Sequence, residues 1–159
     1  MRRALTFVAF VASTGNAQQS PVTFHQLGHA ILRELIETNT TASSGNTTIA
    51  AGQLAARFRD AGFPEADVQV VGPTPKNMNL VVRHRGSGKR PPLLLTAHLD
   101  VVEADASKWQ RPPFSGDEHD GCLWGRGAID MKNMAAMCTA ILRRLAASGT
   151  RGDRDVIFA

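Results

Sequence analysis

Two short apolar runs flank one long amphipathic segment, and their order restricts the fold more than any other feature of the chain. Residues 93–98 and 155–159 read as strands. Between them, residues 131–147 repeat Met134, Met137, Cys138, Ile141, Leu142 and Leu145 at helical spacing, and Ser148-Gly149 ends the repeat. Strand, helix, strand in this order implies a parallel crossover in an α/β sheet. Leu93-Leu94-Leu95 is apolar at every position, which predicts a central strand buried on both faces. Further strands are expected at residues 68–71 and 80–84. The expected fold class is α/β, a three-layer mixed sheet containing the parallel crossover.

Thr23 and Gln26 have capping-box spacing and open a helix with Phe24, Leu27, Ile31, Leu32, Leu35 and Ile36 on one face. Residues 38–48 are polar and read as a loop. A second helix is expected from about 48 to 61, with Ala51, Leu54, Ala55 and Phe58 inward and Gly62 as its stop. Residues 101–128 form a long connection, and a long loop inside a domain is usually functional.

The chain has 159 residues and 43% hydrophobic composition, enough for one domain with a core. Residues 1–17 read as a signal peptide: Met1-Arg2-Arg3 is charged, residues 4–12 are apolar, and Gly15-Asn16-Ala17 offers small residues for cleavage. The apolar stretch is too short to span a bilayer, and no other stretch suffices. Export to a secreted or periplasmic location is expected. The formal net charge of +4 is halved once Arg2 and Arg3 are removed. The remaining basic residues are scattered, so no nucleic-acid partner is expected. Cys122 and Cys138 are too far apart for a CxxC motif and are expected to be buried free thiols. Residues 18–159 are expected to be the N-terminal part of a catalytic domain, because the last apolar strand lacks the elements that would cover it.

His98 ends a buried-type strand, and ligands of open α/β sheets sit beyond the carboxyl ends of strands. A neutral imidazole there is a good zinc ligand. Asp100 is placed to accept the other ring N–H. Asp130 sits between a glycine-rich turn and the long helix, where it could be a plain N-cap or a carboxylate that bridges two metal ions. Gly125 and Gly127 allow a tight turn, and Arg126 is a candidate anchor for it through hydrogen bonds, with solvated packing as the alternative. His25 and His29 have i, i+4 spacing, but Gln26 stands where a zinc-peptidase motif needs a proton-accepting Glu, so a solvated helix face is expected. Arg151-Gly152-Asp153 is expected to be a polar loop. Asn39 and Asn46 begin N-x-Thr sequons.

His98-Leu99-Asp100-Val101-Val102, Trp109 with Pro113-Phe114, Asp120-Gly121, and Gly125-Arg126-Gly127-Ala128-Ile129-Asp130-Met131-Lys132 follow one another in an order and spacing that resembles the M20 family of zinc peptidases and deacylases. That resemblance implies a zinc-peptidase-like fold and two Zn2+ ions. His98 would bind one ion, Asp130 would bridge both, and Asp100 would serve catalysis by orienting His98. It also implies a cis peptide after Asp130. A Glu-Glu pair after the next strand would supply the general base and a ligand, with further ligands beyond. The implied reaction is hydrolysis of a peptide bond, carboxypeptidase or dipeptidase fashion, with an N-acyl-amino-acid deacylase as the alternative. The substrate is thus a peptide or an N-acyl amino acid. A homodimer is implied only for a full-length parent, and this chain alone is expected to be inactive. An inert or merely metal-binding fragment is the alternative outside enzymes.

Overall fold

The computed structural model describes residues 23–159. The expected signal peptide, residues 1–17, lies outside the described residues. The described chain opens on helix α1, Phe24–Glu37, and both bonds of the expected capping box form: Gln26 N–H donates to Thr23 Oγ1, and Thr23 N–H donates to Gln26 Oε1. Helix α2, Thr47–Asp60, is capped by Asn46, whose side chain accepts from the Thr48 N–H. Strands β1, Val68–Thr74, and β2, Asn77–His84, follow as an antiparallel pair. Strand β3 is Leu93–Leu95.

The long connection is not structureless. It contains a 3-10 turn at Ala106–Lys108 and a small hairpin of β4, Glu118–His119, and β5, Cys122–Leu123. Asp120 and Gly121 both take positive φ at the hairpin tip, the left-handed backbone that tight two-residue hairpin turns require. Helix α3, Lys132–Ala147, and strand β6, Val156–Phe158, complete the described chain.

The main sheet has the order β1-β2-β6-β3. β6 pairs antiparallel with β2 and parallel with β3, so β3-α3-β6 is the expected crossover and the sheet is mixed. Val68, Leu80, Val82 and Phe158 share one core with Ile31 and Leu35 of α1, Leu54 and Phe58 of α2, and Ala135, Ala140 and Leu142 of α3. Burying these apolar side chains supplies the main drive to fold, at about 25 cal/mol per Å2 removed from water.

Three expectations are corrected. β3 is not central: it pairs only with β6 among the described strands, and Leu93 and Leu94 are 45% and 60% exposed. The stripe expected to bury α3 is only partly inward, since Met134, Met137 and Ile141 are exposed. Cys138 and Leu142 of the stripe are buried as expected, together with Ala135, Ala136, Thr139 and Ala140, small residues on the side packed against its neighbours. Of the two free thiols, Cys138 is buried, and burial raises its pKa, but Cys122 is exposed at the hairpin.

Candidate metal centre

The chain leaves β3 at Leu95, and the ladder continues one step further, with Ala159 N–H donating to Leu95 O and Ala97 N–H to Ala159 O. This carries His98 just past the carboxyl end of the parallel pair. Asp130 arrives from the other side of the crossover, at the foot of α3. The turn before it is tight: Lys132 N–H donates to Gly127 O at 2.9 Å. Glycine is required twice there. A Cβ on Gly125 would lie 2.1 Å from Ile36 Cγ2, and one on Gly127 would lie 2.6 Å from Val101 Cγ1, with φ at +85° besides. The Asp130–Met131 peptide is cis.

His98 and Asp130 meet. His98 Nε2 is 2.9 Å from Asp130 Oδ1. On the other side of the ring, His98 Nδ1 is 2.9 Å from the backbone carbonyl of Asp100, which can only accept, so Nδ1–H is the donor. The Asp100 carboxylate is farther, with Oδ1 at 3.5 Å from Nδ1. The orienting group is therefore the carbonyl of Asp100 rather than the side chain that the sequence suggests.

Electrostatics follow from this geometry. With Nδ1 protonated, a neutral ring would aim its Nε2 lone pair at a carboxylate oxygen. A cation between the two atoms removes that repulsion: a proton on the ring, or a metal ion. Partial burial disfavours the charged ring, but the Asp100 carbonyl, the Asp130 hydrogen bond and both carboxylate charges together raise the His98 pKa above its usual value. The pair thus fits a cation, and imidazole nitrogen with carboxylate oxygen is a donor set that suits zinc. The number of donors falls short of a full site. No cluster of three or more His, Cys, Asp or Glu able to hold a metal occurs among the described residues.

The pair opens onto a cavity of about 470 Å3, lined among others by Asp100, Trp109, Trp124 and Arg126. Arg126 lies with its guanidinium carbon 5.2 Å from the centre of the Trp109 ring, a cation–π contact that ties the long connection to the glycine turn. The side chain of Arg126 thus meets an aromatic face where anchoring hydrogen bonds were expected. His25 and His29 are on the exposed face of α1, and His29 Nε2 is 3.5 Å from Glu118. Arg151-Gly152-Asp153 is the loop before β6.

Two polar residues escaped the sequence reading. Lys132 is fully buried, and its ammonium donates to the carbonyls of Leu35 at 2.7 Å and Thr38 at 2.8 Å. Burial lowers its pKa to about 8, so it is still mainly protonated at neutral pH. Thr40 is 1% exposed, and its hydroxyl donates to Leu99 O at 2.7 Å. Neither leaves a hydropathy signal. For Lys132 the pointer was its place two residues after Asp130.

The site is thus a strand-end histidine facing a helix-start aspartate at the carboxyl edge of a mixed α/β sheet. Residues 94–159 match the model of Peptidase family M20/M25/M40. The chain is 38% identical over 111 residues to a succinyl-diaminopimelate desuccinylase of Rhodopseudomonas palustris, covering 69% of this chain and 28% of that one. It is 41% identical over 92 residues to an acetylornithine deacetylase of Klebsiella pneumoniae, covering 57% and 23%. The fold is shared with an M20 family metallo-carboxypeptidase from Sulfolobus solfataricus, TM-score 0.69 at 19% identity over 82% of this chain and 29% of that chain. Human carnosine dipeptidase 1 gives 0.66 at 19% identity over 87% and 34%. The match to the M20 family model falls on the part of the chain that carries His98 and Asp130, and the chain spans about a quarter to a third of the length of these relatives.

Proposed function

We propose that the chain supplies two ligands, His98 and Asp130, to the zinc centre of an amidohydrolase acting on peptides or N-acyl amino acids. The observation that carries this reading is the 2.9 Å approach of His98 Nε2 to Asp130 Oδ1 inside the segment that matches the family. Zinc held there would supply a Lewis acid for the amide carbonyl and for the water that attacks it. Asp100 fixes the ring of His98 through its carbonyl. Arg126 and Trp109 form part of the wall on which a substrate rests. The relatives at 38% and 41% identity are a desuccinylase and a deacetylase, which favours an N-acyl amino acid over a peptide as substrate. The peptidases share the fold at 19% identity and so bear less on substrate.

The 159 residues by themselves would turn over neither substrate. A catalytic zinc normally takes three protein ligands, and the pair offers two. Residues 1–17 would direct export, which N-terminal sequencing of the mature protein tests. Activity is tested by assaying the chain, and a protein extending it to the length of its relatives, on N-acyl amino acids and dipeptides with zinc. The reading requires that the longer protein hydrolyse one of them and lose this in His98→Ala. An active longer protein indifferent to His98→Ala would refute it.

A further inference from the structure

We infer that Lys132 and Thr40 are positioning residues that hold His98 and Asp130 in register through one shared bracket, the chain of residues 35–41. This rests on the metal-centre reading above. The bracket touches both ligand-bearing segments. On one side the Leu35 and Thr38 carbonyls, at the end of α1, receive the two hydrogen bonds of the Lys132 ammonium. Carbonyls at a helix C-terminus lack intrahelical donors and carry partial negative charge, so a buried ammonium is well matched to them. Lys132 is two residues from Asp130, and its own N–H closes the turn onto Gly127. On the other side, Thr40 Oγ1 donates to Leu99 O, next to His98, and Val101 N–H donates to Thr40 O at 3.2 Å. Thr41 and Val101 form a parallel bridge.

The pairing of Lys132 with carbonyls has a chemical consequence. A cation two residues from Asp130 could have been neutralised by that carboxylate. Directed at backbone oxygens instead, it anchors the turn and leaves Asp130 with His98 as its side-chain partner among the described residues. The side chain of Asp130 is 88% exposed, so apart from its contact with His98 it is the backbone anchorage that fixes where it stands. A merely structural Lys132 would change stability without changing how the folded protein binds a cation.

The test uses the full chain with Co2+ as the probe, read by visible absorption at a temperature where circular dichroism shows each variant folded. Lys132→Met and Thr40→Val should each weaken Co2+ binding by about 10- to 100-fold, the usual cost of losing a group that orients a ligand. Thr40→Ser keeps the hydroxyl and should bind like the wild type. The metal-free readout is the ring 1H–15N spectrum of His98, which should move in Lys132→Met and Thr40→Val and stay in Thr40→Ser. If Lys132→Met does not fold, the two Thr40 variants decide. Folded variants with wild-type Co2+ affinity and an unmoved His98 ring overturn the inference. If the wild type binds no Co2+, it is the metal reading that fails, and the bracket stands or falls on the ring spectrum alone.

Discussion

His98 Nε2 and Asp130 Oδ1 lie 2.9 Å apart across 32 residues of sequence, and the carbonyl of Asp100 holds the far side of the same ring. The ring is thus clamped between two acceptors. In the metal-free protein this favours its protonated form. Asp130→Asn removes the charge and keeps the size. The titration midpoint of His98, followed by NMR, should fall towards the usual histidine value of about 6.5. The linked stability has a definite sign. A raised folded-state pKa adds stability fully present below the unfolded value and lost as pH rises through the folded one. Asp130→Asn should shrink that difference, and a midpoint unmoved by the substitution would deny the clamp.

The glycine turn sets the position of Asp130 sterically. Gly127→Ala would place a methyl 2.6 Å from Val101 Cγ1 and 3.0 Å from Lys132 Cδ, at a φ of +85°. Overpacking of this kind costs about 1–3 kcal/mol, with backbone strain added. Denaturant unfolding should show the loss in the midpoint with little change in slope.

Asp155 is the buttress between β2 and β6. Its carboxylate accepts from the Gly86 N–H at 2.8 Å and from Arg83, and both interactions hold its pKa below the usual carboxylate value. A depressed folded-state pKa adds stability present above the unfolded value, about 3.9, and lost as pH falls through the folded one. Asp155→Asn should therefore flatten the acid limb of the stability profile below about pH 4. The same acid slope in variant and wild type would count against this role.

Phe58 tests the core independently of the site. It is fully buried in α2, with its ring edge-on to Phe63 at 5.1 Å. Phe58→Ala should cost about 3–5 kcal/mol in unfolding free energy.

What the sequence made legible follows its physics. The capping box of Thr23 and Gln26, the α2 face of Ala51, Leu54, Ala55 and Phe58, and the crossover from residue 93 to 158 all appear where periodicity put them. The misreadings share one cause: side-chain hydropathy does not report neighbours. Leu93 and Leu94 look like a central strand, but centrality depends on what pairs beside β3. The buried face of α3 includes three alanines, whose hydropathy is weak, beside Cys138 and Leu142, while the methionines that draw the eye point outward. His98, Asp100 and Asp130 stood out because each is a polar residue at the end of an apolar or glycine-rich run. Lys132 and Thr40 did not, because their burial is decided by the carbonyls of a distant segment.

The most direct test of the shared cation is anomalous X-ray scattering from crystals of the chain soaked in zinc, collected on both sides of the zinc absorption edge. The account expects a peak about 2.0–2.2 Å from both His98 Nε2 and an Asp130 carboxylate oxygen, and none there in His98→Ala. Zinc bound elsewhere while the 2.9 Å contact of His98 and Asp130 persists unchanged would contradict it.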